Sequence, residues 1–375
     1  MTTFIFLNLT IYFALLFLIL GVGIYLQRKK EESYQIGKKI SLDEVTLIVP
    51  FRNEEKRIDG LLKSLKRCRK LPVQIIFVND HSDDLSSSKI IIDLEKFNNI
   101  QFLNLPTEIY GKKQAIRHGI NHSKTEFILT MDADVYFEST YFEELEKLSE
   151  ADLYLLPAVL KATNPIHHLF EIDLLLINAL NTGLNGLSRP IIASGANLLF
   201  KRDSFLKFDR FDTHKHIPSG DDIYLLRDFR DAKADIRLVA KKSFQVETET
   251  PQSFKEFIHQ RIRWIAKTGN VNDQLSTTLA IIQFILMISF WTIEINLLFD
   301  NEYQNAIILF GVKTVLDLLF FFPFFNKFNR LTAWLLIPIY QLIFPMYNLI
   351  LLILLPFFKP KWKGRYSGLN VRLLK

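Results

Sequence analysis

The chain has 375 residues, a formal net charge of +6 at pH 7, and apolar side chains at 49% of its positions. This length allows two or three domains, and the single cysteine, Cys68, excludes an intrachain disulfide. The positive charge is compatible with a nucleic-acid partner, but the basic residues cluster beside apolar segments, where they more readily meet anionic lipid headgroups. We therefore expect membrane lipids, and no nucleic acid, among the partners.

The first predicted element is an uncharged apolar stretch at 4–26, which is long enough to cross a bilayer as a helix. The basic run QRKK follows at 27–30, and the positive-inside rule then predicts that the helix ends in the cytoplasm. A cleaved signal peptide is the alternative, but its usual positive start and small-residue cleavage site are not evident here. We predict an uncleaved transmembrane anchor over residues 1–27.

A soluble domain of alternating strands and helices is predicted over residues 43–250. Strands are predicted at 45–51, 73–80, 102–105 and 127–134. The helix after the first strand is indicated by Ile58, Leu61 and Leu65, which share one helical face, and a later helix is predicted from 111 to 120. Such alternation predicts the α/β class with a mainly parallel, doubly wound sheet.

Carboxylates follow three of these four strands. Glu54 follows the first strand, Asp80 and Asp83 follow the second, and Asp132 and Asp134 end the fourth. Ligands bind at the carboxyl ends of the strands in doubly wound sheets. Asp also favours turns for purely structural reasons, so any one of these acids alone carries little information. The three sites together predict a ligand-binding edge of the sheet.

Asp132 and Asp134 are separated only by Ala133, so their ionised carboxylates would repel each other if both were buried. A hard divalent cation between them would cancel this repulsion. Mg²⁺ and Mn²⁺ prefer oxygen ligands and commonly keep waters or phosphates in the remaining positions, which a diphosphate could fill. An Asp-x-Asp sequence is frequent by chance, but here it predicts a site for Mg²⁺ or Mn²⁺.

The order of these motifs resembles that of the membrane-bound inverting family 2 glycosyltransferases, which have a GT-A fold. The matching segments are VPFRNEE (49–55), FVNDHSDD (77–84), GKKQAI (111–116), MDAD (131–134), SGAN (194–197), SGDD (219–222), QRIRW (260–264) and KWKGR (361–365). The resemblance covers roughly residues 45 to 365 and rests on the order and spacing of the motifs together. It implies a Rossmann-like GT-A catalytic domain and a nucleotide-sugar donor.

The resemblance also implies roles for the acids at the strand ends. Asp80 would accept a hydrogen bond from the uracil N3–H of a UDP-sugar, with Glu54 and Asp83 also near the nucleotide. Lys112 would neutralise phosphate, although a solvated surface lysine is an equal alternative from the sequence. Asp132 would contact the donor, and with Asp134 it would hold the metal on the diphosphate, which makes the nucleoside diphosphate a better leaving group.

The general base is assigned by the resemblance to the second acid of the SGDD motif. Asp222 would take the proton of the acceptor hydroxyl, with Asp221 as its neighbour. The family often has Glu-Asp where this chain has Asp221–Asp222. Adjacent acids before a helix also serve as caps, so the alternative is a structural role.

An amphipathic interface helix is predicted over residues 251–275. Gln260 and Trp264 share one face of it at i and i+4, and Arg263 lies beside them. The resemblance places these three residues, with Gly195 of the SGAN motif, at the acceptor and diphosphate. Trp264 can stack on an acceptor sugar and Arg263 can bind the departing diphosphate. The alternative is an interfacial tryptophan with snorkelling arginines.

A membrane region is predicted over residues 276–358. Its candidate helices are 277–299, 304–325 and 331–357. The second contains Lys313 and Asp317, which would be costly facing lipid, and the third contains Pro338 and Pro345, where it can bend or re-enter. The basic tail at 359–375 is predicted to be cytoplasmic. Three full crossings would place this tail outside, so the number of spans stays open.

The leading hypothesis is a membrane-anchored inverting glycosyltransferase that moves a sugar from a UDP-sugar to a lipid-linked or saccharide acceptor, with its catalytic domain on the cytoplasmic face of a bacterial inner membrane. A processive polysaccharide synthase is an alternative, because the QRIRW motif also occurs in such enzymes. A catalytically inactive membrane scaffold is an alternative of another class. A transporter has only Lys313 and Asp317 in its favour.

Overall fold

A computed structural model of the chain describes residues 2–95, 97–214, 220–269, 271, 273–357, 361–362 and 365–366. The strands are β1 (Val45–Phe51), β2 (Gln74–Asn79), β3 (Ile100–Asn104), β4 (Phe127–Met131), β5 (Val135–Phe137), β6 (Leu153–Leu155), β7 (Ala158–Lys161), β8 (Asn197–Lys201), β9 (Ile236–Leu238), β10 (Val246–Glu249), β11 (Lys361–Trp362) and β12 (Arg365–Tyr366). The α-helices are α1 (Thr2–Leu16), α2 (Ile24–Ser33), α3 (Asp59–Arg67), α4 (Ser86–Leu94), α5 (Lys112–His122), α6 (Tyr141–Leu145), α7 (Pro165–Leu187), α8 (Arg202–Phe208), α9 (Phe211–His214), α10 (Asp221–Asp231), α11 (Phe254–Gly269), α12 (Gln274–Phe299), α13 (Tyr303–Lys327), α14 (Leu331–Leu335) and α15 (Ile337–Leu354).

The four strands predicted from the sequence lie side by side in a seven-stranded sheet of order β3-β2-β1-β4-β8-β6-β9. β1 is parallel to β2 and β4, and β2 is parallel to β3. β8 inserts antiparallel to both β4 and β6. The predicted parallel arrangement is therefore confirmed for β1 to β4, and the second half of the sheet is mixed.

The core explains why these segments form strands and helices. All seven residues of β1 are buried, because helices cover both faces of the sheet. On α3, Leu61 and Leu65 are buried as their spacing predicts. The prediction of a strand through 134 is wrong at its end. β4 stops at Met131, so Asp132 and Asp134 lie in the turn that leads to β5 and are not held in the pleat of a strand.

The N-terminal helix is longer than the predicted anchor at 1–27. It runs without a break through a π-helical turn at Phe17–Gly23 to Ser33, and its second half packs on α7. Gly183 and Gly186 of α7 touch its backbone so closely that neither has room for a side chain. Gln27 also donates a hydrogen bond to the carbonyl of Leu238, at 2.6 Å. The second half of the helix is thus packed into the α/β domain, although its first half is an apolar segment.

Four helical segments of the described chain are long and apolar enough to cross a membrane: Phe4–Ser33, Gln274–Phe299, Tyr303–Lys327 and Ile337–Phe357. The predicted stretches at 277–299 and 304–325 are single helices. The stretch at 331–357 is broken between α14 and α15, close to Pro338, while Pro345 lies inside α15. Of the predicted tail at 359–375, only the β11–β12 pair is within the described residues, and its cytoplasmic placement stays a prediction.

Candidate active site

Lys112 lies at the centre of a cluster of carboxylates at the edge of the sheet. Its Nζ is 2.7 Å from Asp132 Oδ1, beyond β4, and 2.8 Å from Asp221 Oδ2, at the start of α10. Lys112 begins α5 directly after Gly111, whose φ of 103° is a conformation that favours glycine. The predicted lysine is therefore not a solvated surface residue, because it bridges two of the predicted acids.

The charged groups in this cluster shift one another's pKa values. Burial alone would lower the pKa of Lys112, but Asp132, Asp221 and Asp222 outweigh it and raise that pKa above its ordinary value. Burial and the neighbouring carboxylates of Asp134 and Asp221 raise the pKa of Asp132, although Lys112 opposes them. The cluster therefore has more negative charge than Lys112 alone compensates near Asp132 and Asp134.

Asp222 lies beside this pair and makes different contacts. Its Oδ2 accepts a hydrogen bond from the backbone N–H of Gly195 at 3.3 Å, and its Oδ1 is 3.6 Å from Nζ of Lys267. Lys267 comes from α11, one turn after Trp264, and sequence reasoning missed it. Among the described residues no lysine is as close to Asp222 as Lys112 is to Asp221, and the Asp222 side chain is the more exposed of the two, so it is the more available to a ligand.

Glu54 and Asp134 are joined by Arg57, which sequence reasoning also missed. The Arg57 guanidinium is 2.7 Å from Glu54 Oε2 and 3.5 Å from Asp134 Oδ2. The spacing of Glu54 and Arg57 at i and i+3 was the only signal of this pair in the sequence. Arg57 therefore places Glu54 in the same site as Asp134, one of the two carboxylates predicted to bind a metal ion.

Asp80 and Asp83 are placed differently from the other predicted residues. Asp80 is buried, and its Oδ2 accepts a hydrogen bond from the backbone N–H of Gly111 at 3.0 Å. Asp83 is exposed, and its backbone N–H donates to Asn53 Oδ1. Neither lines the cavity that contains the other acids. Asp80 therefore supports the turn before Lys112 in this structure, and the nucleotide roles of both residues stay predictions.

The predicted acceptor residues Gln260, Arg263 and Trp264 all line the same cavity as the acids. Burial lowers the pKa of Arg263, against the opposing effect of Asp132 and Asp222. The Arg263 guanidinium is thus close enough to the carboxylates to interact with them. The structure brings α11 and the strand ends together, as the motif order predicts.

A cavity of about 1230 Å³ continues from these groups into the apolar helices. One side of it includes the carboxylates of Asp132, Asp134, Asp221 and Asp222. Its other side includes Asn8, Tyr12, Lys313, Asp317 and Gln341 from α1, α13 and α15. A single space therefore joins the carboxylate cluster to the helices that are apolar enough to cross a membrane.

The pair Lys313 and Asp317 faces this cavity and the interior of the helices. Lys313 Nζ is 2.8 Å from Asp317 Oδ2, and the same carboxylate accepts hydrogen bonds from Tyr12 and Gln341. Asp317 is only 5% exposed. Because the partners of Asp317 come from three helices, the pair lies inside the helical bundle and holds this end of the cavity together.

The carboxylates Asp132 and Asp134 fit a divalent cation that has further ligands from a substrate. Among the described residues no group of three His, Cys, Asp or Glu side chains has the arrangement of a complete metal site. Mg²⁺ and Mn²⁺ are commonly bound through one or two carboxylates together with phosphate oxygens. Burial and the Asp134 carboxylate both raise the pKa of Asp132, and a cation between the two acids would relieve their repulsion.

Comparison with known proteins agrees with this arrangement. Residues 46–206 match the family model of glycosyl transferase family 2. A dolichyl-phosphate beta-glucosyltransferase of Trichomonas vaginalis is 35% identical over 111 residues, which are 28% of this chain and 34% of that protein. The 4,4'-diaponeurosporenoate glycosyltransferase of Staphylococcus aureus is 35% identical over 99 residues, 25% of this chain and 24% of that protein. The chain thus spans about a third or less of the length of these relatives.

The fold has a counterpart among solved structures. The mannosyltransferase PcManGT from Pyrobaculum calidifontis, solved in complex with GDP-Man and Mn²⁺, superposes with a TM-score of 0.52 at 15% sequence identity, and the match covers 89% of this chain and 97% of that one. This likeness shows the fold. The predicted GT-A architecture is therefore confirmed, and the region that matches the model of glycosyl transferase family 2 is joined to apolar helices long enough to cross a membrane.

Proposed function

We propose that the protein is a membrane-anchored inverting glycosyltransferase that moves a sugar from a nucleotide-sugar to an acceptor carried by a lipid. The observation that carries this proposal is the cavity that joins the four carboxylates to the apolar helices. A soluble acceptor needs no such space, whereas the reactive end of a lipid could reach Asp222 while its chain stays between the helices. The names of the two relatives, which specify dolichyl phosphate and diaponeurosporenoate, are in keeping with a lipid-borne acceptor.

In the proposed reaction, Asp222 accepts the proton of the acceptor hydroxyl while the oxygen of that hydroxyl forms a bond to C1 of the donor sugar. The bond between C1 and the diphosphate oxygen breaks on the opposite side, which inverts the configuration at C1. Asp222 suits this role better than Asp221, because Asp221 is held by Lys112 at 2.8 Å. Lys112 and Arg263 then compensate the charge of the departing diphosphate.

Asp132 and Asp134 are the residues that would hold a divalent cation on the diphosphate. When bound, such a cation stabilises the charge that develops on the leaving group. Mg²⁺ and Mn²⁺ both suit two carboxylates, and the solved mannosyltransferase contains Mn²⁺. Activity is therefore expected to require Mg²⁺ or Mn²⁺, and full turnover in excess chelator would contradict this.

A uridine donor remains the first to test, because Asp80 follows β2 next to the turn that presents Lys112. The solved mannosyltransferase holds a guanosine diphosphate sugar, so guanosine donors are the alternative. Binding of a GDP-sugar with all uridine compounds inert would reject the uridine donor. We also propose that the catalytic domain faces the cytoplasm of a bacterial inner membrane, since QRKK follows the apolar part of the first helix.

The experiment compares Asp222→Asn with Asp221→Asn and Asp134→Asn in purified protein supplied with labelled nucleotide-sugars and membrane lipids. Asp222→Asn removes the base but keeps the size of the side chain, so transfer should fall by about 10²–10⁴-fold while donor binding survives. Asp134→Asn should weaken metal-dependent donor binding as well. Transfer by Asp222→Asn at the wild-type rate, in folded protein, would assign the base to another residue, and Asp221 is the first to examine.

The products of the same assay separate the alternatives. A lipid with one added sugar supports the proposal, whereas a long polymer identifies a processive synthase. No transfer or hydrolysis of any donor, with either cation present, identifies an inactive scaffold.

A further inference from the structure

Asp173 is a buried carboxylate at a junction of three helices, outside the cluster around Lys112. It lies on α7 and is only 5% exposed. Its Oδ2 is 2.9 Å from Nε of Arg261 on α11. Its Oδ1 accepts hydrogen bonds from two hydroxyls of α15, Tyr340 at 2.6 Å and Tyr347. One carboxylate therefore binds the helix of the QRIRW motif and an apolar helix at the same time.

Arg261 contacts both Asp173 and the ring of Trp264. Its guanidinium carbon lies 4.3 Å from the centre of the Trp264 ring and 4.7 Å from that of Phe257. Arg261 is only 4% exposed, so its position is set by the groups that surround it. A guanidinium over an aromatic face is attractive, more so when it is desolvated. The orientation of the Trp264 ring therefore depends on where Asp173 holds Arg261.

Trp264 lines the cavity next to Gln260 and Arg263, and Asp173 and Arg261 line it as well. One turn later on α11, Lys267 approaches Asp222. A shift of Arg261 would therefore displace the part of the cavity wall that α11 forms.

We propose that Asp173 is a positioning residue, which holds Trp264 through Arg261 and couples this ring to α15 through Tyr340 and Tyr347. This inference rests on the proposed function only for its kinetic consequence, since the orientation of Trp264 can be measured without any reaction. Asp173 acts in this role through Arg261, and the fluorescence of Trp264 separates this effect from any contact that Asp173 makes as part of the cavity wall. Its loss should weaken use of the lipid acceptor and leave the donor side unaffected.

Glu171 provides a matched control on the same helix. It is fully buried, and its Oε1 is 2.9 Å from Nε of Arg330, in the segment between α13 and α14. Like Asp173, it joins the catalytic domain to the apolar helices by a buried ion pair. Within the described part of the chain its ionic partners are His168 and Arg330, which lie outside α11, so Glu171→Gln carries a similar structural penalty without the link to Trp264.

The first measurement uses Trp264 fluorescence in protein whose other tryptophans, Trp291, Trp334 and Trp362, are replaced by phenylalanine. Asp173→Asn should change the emission of Trp264 and increase its quenching by acrylamide, whereas Glu171→Gln should not. Arg261→Lys is the second variant, because lysine keeps a charge for Asp173 but lacks the planar group that covers the ring. It should reproduce the change in quenching even if Asp173→Asn fails to fold.

The second measurement uses a total lipid extract of the expression host as the acceptor. Asp173→Asn should raise the lipid concentration at half-saturation by about tenfold, as expected if the loss of the ionic contact with Arg261 leaves Trp264 poorly oriented. The KM for the donor and the hydrolysis of the donor without lipid should stay at wild-type values. Glu171→Gln should change none of the three parameters.

Unchanged Trp264 quenching in both Asp173→Asn and Arg261→Lys would overturn the proposal, as would equal effects of Asp173→Asn and Glu171→Gln on every parameter. A wild-type protein that transfers no sugar would contradict the proposed function. The fluorescence comparison would then decide the positioning role alone.

Discussion

Gly195→Ala tests whether the carboxylate cluster must keep its geometry for transfer. A methyl group at Gly195 would lie 2.8 Å from Nζ of Lys112 and closer still to Oδ2 of Asp221. Ordinary van der Waals contact begins at 3.4 Å, so Lys112 has to withdraw by at least about 0.6 Å and Asp221 by more. Both atoms end flexible side chains, so the fold can accept this shift at little cost.

The rate of sugar transfer should be more sensitive to this shift of Lys112 and Asp221 than the stability of the fold. Gly195 also donates its N–H to Asp222, so the displaced groups include the neighbours of the proposed base. A misplacement approaching 1 Å can cost about 10²-fold in rate, and we expect a loss of this order in sugar transfer. The unfolding temperature should change little.

The assay measures transfer of a labelled sugar to membrane lipid by purified protein in detergent, together with thermal unfolding. Gly311→Ala is the control, since the added methyl group would meet no atom within 4 Å. It should transfer sugar at the wild-type rate. A Gly195→Ala protein that is folded and transfers sugar as fast as the control would refute the reasoning, because the contacts of Lys112 and Asp221 would then be irrelevant to the rate.

Two further predictions concern pH. Burial opposes ionisation of Asp273, but Arg189 and Arg230 lower its pKa to about 2, so its stabilising effect is present above pH 3.8 and is lost as the pH falls towards 2. Asp273→Asn should therefore unfold at a lower temperature than wild type at pH 5, and this difference should shrink by pH 2; a constant difference would contradict the ion pairs. Burial raises the pKa of Cys68 to about 11, so its alkylation rate by iodoacetamide should still be rising at pH 10, whereas a plateau near pH 9 would show an ordinary thiol.

Much of the parallel half of the sheet was predictable, because apolar runs and helical spacing are local properties of the sequence. The strand at 45–51 and the helical face of Leu61 and Leu65 are examples. β8 was not predicted, since its insertion between β4 and β6 depends on pairing with residues far away in the chain. The end of β4 at Met131 was also missed, because the turn is decided by the packing of β5.

The candidate site divides in the same way. The sequence by itself determined which acids follow the strands and which residues share a face of α11, because both depend on spacing within one element. Only the tertiary structure decided their partners: Lys112 bridges Asp132 and Asp221, and Arg57 joins Glu54 to Asp134. Such pairs connect residues up to about a hundred positions apart, and ionic attraction leaves no periodic pattern in a sequence. Chain folding alone brings them within reach.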